Sequence, residues 1–162
     1  MSFKSSKGYF KLTSSDFSAG GEIPRECGYK NGNRAPSLKW ELNPDIFPGD
    51  SHPKSFALIM DDPDAMEAVG KVWVHWVVWG IPWRQDRLDS ALLVDGAEGM
   101  TDFGEVGYGG PAPPDKRHTY IFKLYALDIE LDLPNESTKA DVEKAMEGYI
   151  LDQATLTGTY AP

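Results

Sequence analysis

Hydrophobic and polar positions alternate in short runs along most of the chain, and turn-forming residues separate the runs. Phe10-Lys11-Leu12-Thr13 alternates with the period of a half-buried strand. Asn31-Gly32-Asn33 marks a turn, and Leu38-Lys39-Trp40 predicts a second short strand closed off by Asn43-Pro44 and Pro48-Gly49. Phe56-Ala57-Leu58-Ile59-Met60 predicts a third, ended by Asp61-Asp62-Pro63-Asp64. The run from Val72 to Ile81 is apolar on both faces, with Trp73, His75, Val77 and Trp79 on one and Val74, Trp76 and Val78 on the other. A strand with no polar face is central and covered on both sides. Pro82, which has no N–H to donate, ends its pairing. His118 to Leu127 predicts another long central strand, with His118, Tyr120, Phe122 and Leu124 on one face, and Leu156 to Tyr160 predicts a terminal strand.

One segment carries a clear helical period. Thr138 and Asp141 have the spacing of a capping box. Val142, Ala145, Met146, Tyr149 and Ile150 then form one apolar stripe, which predicts a helix over 138–151 packed through Val142, Met146 and Tyr149. Short strands at this spacing, with one late helix, predict an all-β antiparallel sandwich rather than alternating βαβ units.

Composition narrows the class. The chain has 162 residues, enough for one core that removes about 69% of the unfolded surface from water, so a single domain over 1–162 is expected. Its 16 glycines and 12 prolines suit a chain of many turns better than a helical bundle. The 16 basic against 25 acidic side chains leave a net charge of −9, which repels a phosphate backbone and argues against a nucleic-acid partner. Cys27 is the only cysteine, so internal disulfides and CxxC zinc or redox motifs are excluded. Met1 to Tyr9 has no apolar signal-peptide core, and the most apolar run is far short of the ~20 residues that span a bilayer. A cytoplasmic location is the expectation.

Candidate chemistry centres on the histidines. His52 follows Gly49-Asp50-Ser51 and reads as a loop residue without a special role. His75 lies inside an aromatic strand, where a polar ring needs a partner, and Asp62 at the end of a neighbouring strand is the expected one. His118 opens its strand directly after Gly104 to Pro114, a loop holding four glycines and three prolines. Asp62, His75, His118 and Tyr120, beside backbone N–H groups of that loop, would form a cup suited to a phosphate or carboxylate oxygen. The bland alternative is a core His75 bonded to Asp62 with no ligand. Asp102-Phe103-Gly104 copies a kinase motif, but no HRD or GxGxxG accompanies it. No HxxxH or HExxH spacing supports a metal, and none is expected. There is no GxSxG elbow, and Asp61-Asp62-Pro63-Asp64 lacks the later ligands of a calcium loop, so it reads as a solvated turn.

Asp62-Pro63-Asp64-Ala65, Trp73-Val74-His75-Trp76-Val77-Val78, Asp102-Phe103-Gly104, Gly107 to Pro114, His118-Thr119-Tyr120-Ile121-Phe122 and Leu156 to Tyr160 occur in an order and spacing that resembles the phosphatidylethanolamine-binding protein family. Its members are also called Raf kinase inhibitor-like proteins, and the likeness is to the short bacterial and archaeal branch. The resemblance implies a two-sheet antiparallel β-sandwich with Greek-key-like connections, one or two short peripheral helices, and an anion pocket near one end. It carries pocket roles onto Asp62, Trp73, His75, Gly110, Pro114, His118 and Tyr120. It also implies a small-anion or phosphorylated head-group ligand, a kinase or protease partner, homodimers, no cofactor and no catalytic residues. Met66 stands where relatives often have proline, and Asp115-Lys116-Arg117 stands where they often have glycine, which suggests a narrower mouth or an added cationic contact. The sequence ends at Pro162 without the C-terminal helix of the eukaryotic branch, which implies a more open pocket. The leading expectation is therefore a non-enzymatic binder of a phosphorylated or carboxylated ligand. The alternatives are a surface-acting inhibitor with a vestigial pocket, and a weak hydrolase using His75 as general base.

Overall fold

In a computed structural model, the described residues are 10–43, 52–89 and 96–162. The predicted turns at Pro44 and Pro48-Gly49 lie outside them. Among the described residues eight strands form, in the order β1 (Phe10–Thr13), β2 (Leu38–Leu42), β3 (Ser55–Asp62), β4 (Trp73–Pro82), β5 (Arg87–Leu88), β6 (Ala97–Glu98), β7 (His118–Leu127) and β8 (Ile150–Tyr160). Helix α1 (Ala65–Val69) joins β3 to β4, and α2 (Lys139–Met146) joins β7 to β8. No helix among the described residues is long and apolar enough to cross a membrane.

Two antiparallel sheets result, one ordered β1-β2-β5 and the other β6-β4-β3-β7-β8. Within the larger sheet β7 returns to lie beside β3 after the chain has run through β3, β4 and β6, which is the order of a Greek key. β4 and β7 are both interior and ten residues long, as the sequence predicts. The sheets face each other across an aromatic core that includes Phe10, Trp40, Phe56, Trp76, Tyr120 and Phe122. A second cluster, with Val77, Trp79 and Tyr125, lies on the opposite face of the larger sheet under Val142 and Met146 of α2.

Two predicted details are corrected. The Thr138 capping box forms on both sides, but the helix stops at Met146 rather than continuing to 151. Gly148 adopts a left-handed φ of 83°, Tyr149 is exposed, and Ile150 already belongs to β8. The second correction is in β4, whose faces do not simply alternate. Asp61 pairs with Val74 and Met60 pairs with Trp76, so His75 is an extra residue in a β-bulge. Trp76 and Val78 still share one face, in the inter-sheet core, but Val74 crosses to join Val77 and Trp79 on the face covered by α2. The bulge removes His75 from the face it was expected to share with Val77 and Trp79.

Candidate functional site

The bulge lies where the C-terminal end of β3 meets the N-terminal ends of β4 and β7, and a cavity of about 240 Å³ opens there. Six of the seven predicted residues line it: Asp62, Trp73, His75, Pro114, His118 and Tyr120. Ala65, Ala68 and Val69 of α1 form one apolar wall, and Phe103 and Ala112 complete the lining. Phe103 packs edge-on to both Trp73 and His75 and stacks flat on Tyr29 at 4.1 Å between ring centroids. Asp102 places it, because its carboxylate accepts the Val74 N–H at 2.7 Å and pairs with Lys71 at 2.8 Å. The Asp-Phe-Gly triplet thus builds a wall of the cavity.

The hydrogen bonding differs from the expected pairing of Asp62 with His75. Asp62 Oδ2 accepts a bond from His118 Nδ1 at 2.6 Å, and its Oδ1 accepts the Ala65 N–H at 3.2 Å. The other ring nitrogen of His118, Nε2, faces Asp115 Oδ1 at 2.7 Å. Because each nitrogen meets a carboxylate, the ring is bonded at both ends only when both carry hydrogen, which is the imidazolium form. Burial alone would push the His118 pKa down, but bonds to Asp62 and Asp115 reverse this and raise it above the ordinary histidine value. Asp115 shows the complementary shift: desolvation opposes its charge, and the His118 N–H and nearby backbone N–H groups lower its pKa overall.

His75 has a different environment. Its Nδ1 donates to the Gly109 carbonyl at 2.6 Å, which fixes the tautomer, and its ring packs edge-on against Tyr120. Burial lowers its pKa, and the Gly109 carbonyl and the more distant Asp62 charge only partly offset that. The two pocket imidazoles are therefore pushed in opposite directions, His75 toward its neutral form and His118 toward its charged one. Tyr120 is fully buried, and its hydroxyl faces the Asp62 carboxylate and the Ala112 backbone without a close hydrogen bond to either. Burial, and then the Asp62 carboxylate, push its pKa upward, so it is a neutral donor at the cavity wall.

Gly110 is the predicted residue that does not line the cavity. Its N–H donates to Asn33 Oδ1 at 2.7 Å, and the Gly109 N–H donates to the His75 carbonyl at 2.8 Å. These two backbone donors therefore fasten the loop to the 27–33 segment and to β4 instead of facing the cavity. A Cβ on Gly110 would collide with the Cys27 carbonyl oxygen, so the residue is a point of close backbone approach. The basic pair after Asp115 also turns away: Lys116 bonds Glu67, and Arg117 bonds Glu22 and Thr159. From that stretch only the acid, Asp115, reaches a site residue, bonding His118 from outside the cavity lining. The reading missed it, although its position three residues before His118 was a usable signal. It also missed α1 and Phe103 as walls. The acidic run at the end of β3 is not a solvated turn either, since Asp61 and Asp62 are buried and Asp64 accepts the Thr119 N–H at 2.8 Å. His52 stacks on Trp83 with centroids 3.6 Å apart, away from the cavity.

Comparison with known proteins gives a consistent picture. The family described as phosphatidylethanolamine-binding protein matches residues 13–161. A UPF0098 protein of Methanothermobacter thermautotrophicus is 44% identical over 150 residues, covering 89% of this chain and 93% of that one. A UPF0098 protein of Aquifex aeolicus is 40% identical over 166 residues, covering 98% and 92%. Among solved structures, a phosphatidylethanolamine-binding protein homolog from Chlamydia trachomatis superposes with a TM-score of 0.83 at 33% identity, covering 95% of this chain and 98% of that one. Escherichia coli YbcL, described as a member of the mammalian family, gives 0.81 at 30% identity, covering 94% and 98%.

Proposed function

We propose, from the premise that the chain belongs to the phosphatidylethanolamine-binding protein family, that its pocket binds a small oxyanion, a phosphorylated or carboxylated group, without turning it over. The observation that carries this reading is His118. A buried imidazolium, neutralised on its inner side by Asp62, directs its outer N–H at a carboxylate oxygen, Asp115 Oδ1. That position accepts an oxyanion in hydrogen-bond geometry, and charge-assisted bonds of this kind are the strong ones. Tyr120 supplies a second donor, which faces Asp62 without a close hydrogen bond to it. Modulation of a protein partner is the second part of the reading and rests on the family resemblance.

Titration with inorganic phosphate, followed through the histidine ring signals by NMR, tests it. His118 should shift saturably. Tyr120→Phe should weaken phosphate by about tenfold, the size of a lost bond to a charged group. Unmoved His118 signals, or equal phosphate affinity in Tyr120→Phe, would reject the assignment. The hydrolase reading is checked on the same samples. His75 is held neutral with its tautomer fixed by Gly109, the state a general base needs. Turnover of a phosphoester or ester panel that is lost in His75→Ala would replace binding by catalysis.

A further inference from the structure

Residues 114–117 are exposed and lie between two buried ones, Pro113 and His118. Pro114, at the head of this stretch, lines the cavity. Side-chain ion pairs tie the stretch down. Lys116 pairs with Glu67 and Arg117 with Glu22, and all four side chains are exposed. Pairs of that kind in water hold weakly. Asp115 differs, because its Oδ1 meets Nε2 of the fully buried His118 ring at 2.7 Å. The other ring nitrogen, Nδ1, is committed to Asp62, whose side chain is 4% exposed and which also accepts the Ala65 N–H. Asp115 is 41% exposed. Of the two carboxylates on this ring, Asp115 is the one that can turn to water.

We infer that His118 and Asp115 form a proton-operated latch on the cavity wall, in which the charged ring pins residues 114–117 through Asp115 and the neutral ring releases them, loosening the wall at Pro114. This goes beyond the oxyanion reading and needs no ligand. With hydrogen on both nitrogens, the ring donates to both carboxylates. When one proton leaves, Nδ1 keeps its hydrogen for the buried Asp62, because a carboxylate partner fixes the tautomer. Nε2 then turns a lone pair toward Asp115 Oδ1, and two acceptors at that distance repel. Asp115 swings out, and the stretch keeps its exposed pairs alone. The other polar groups around the ring are engaged elsewhere. The Tyr120 hydroxyl faces Asp62 and the Ala112 backbone. Tyr160, opposite His118 on β8, donates its hydroxyl to the Arg25 carbonyl. Asp64 accepts the Thr119 N–H, and Arg117 is bonded to Glu22 and Thr159. Because bonds to Asp62 and Asp115 raise the His118 pKa, release falls on the alkaline side of about 6.5.

The test is NMR relaxation of the backbone amides of the full chain, without ligand, from mildly acidic to mildly basic pH. The His118 ring signals are followed in the same samples. The Asp115 and Lys116 amides should show order parameters of about 0.85 while His118 is charged and below about 0.6 once it is neutral. The change should share its midpoint with the ring titration. Two variants separate the latch from ordinary loop motion. The amide of Asp115→Asn accepts from the charged ring through Oδ1 and, flipped, donates to the neutral ring through Nδ2. This variant should stay ordered throughout, with His118 titrating nearer the ordinary value. Asp115→Ala can do neither and should be mobile at every pH. Order that does not change across the His118 titration of the unmodified chain overturns the latch. So does loosening in Asp115→Asn as large as in the unmodified chain, or order retained in Asp115→Ala. Those three results leave the oxyanion reading standing. A His118 ring that is neutral throughout the range overturns the latch and removes the imidazolium from that reading as well.

Discussion

Gly110 shows how much a single missing side chain supports. Its Cα lies against the backbone of Cys27 and Gly28, and its N–H bonds Asn33, so it joins the loop carrying Pro114 and Asp115 to the 27–33 segment. A methyl group there meets a backbone carbonyl that cannot swing aside. Gly110→Ala should therefore destabilise by at least the ~1–3 kcal/mol typical of overpacking. Urea denaturation would show it as a lower midpoint with an unchanged slope. The identities of the site residues were legible in the sequence, because imidazoles, a phenol and a carboxylate beside a Gly/Pro loop are conspicuous. Their pairing was not. Asp62 and His75 sit on strands that do pair, yet Asp62 bonds His118 across the other side of β3. Which of two neighbouring strands a terminal side chain leans toward depends on backbone detail that residue type does not encode.

Among the secondary-structure elements, β3 illustrates how strand periodicity creates two sites from one acidic run. Asp61 and Asp62 are consecutive and point to opposite faces. Asp61 is buried between Lys139 at 2.9 Å and Lys123 at 3.4 Å, which ties the start of α2 to the sheet, while Asp62 faces the pocket. α2 is only eight residues long, so its ends matter. The Thr138 hydroxyl accepts the Asp141 N–H at 3.2 Å, and Asp141 Oδ2 accepts the Thr138 N–H at 2.9 Å. Thr138→Ala should cost ~1 kcal/mol, the usual value for an N-cap, as a lower thermal midpoint with phosphate affinity unchanged. The cap was readable because it is a local code. The end of the helix was misread because Tyr149 and Ile150 continue the 3.6-residue stripe after Gly148 has already broken the backbone. The His75 bulge was invisible for a related reason, since an apolar strand reads the same on both faces whether or not it contains an extra residue.

For the whole molecule, the two pocket histidines set opposite limits on stability against pH. His75 is held below its ordinary value, chiefly by burial. As pH falls below about 6.5, the unfolded chain takes up a proton at His75 that the native state refuses, so stability declines toward acid. His118 resists burial and is held above its ordinary value by Asp62 and Asp115. Its contribution is complete below about 6.5 and is lost as pH rises through the folded value, because over that interval the native state keeps a proton the unfolded chain has released. The histidine contributions therefore peak close to the unfolded histidine pKa, with a falling limb on each side. Asp115, whose folded pKa is lowered, adds a loss only at much more acidic pH, below its unfolded carboxylate value of about 3.9. Urea midpoints measured at intervals from mildly acidic to mildly basic pH should trace this maximum. In Asp115→Asn the alkaline limb should become shallower and shorter, since one of the two carboxylates raising His118 is gone, and the acid limb set by His75 should stay in place. A profile that climbs steadily with pH through this range would mean that His118 is neutral in the native state, and the imidazolium on which oxyanion binding depends would be lost with it.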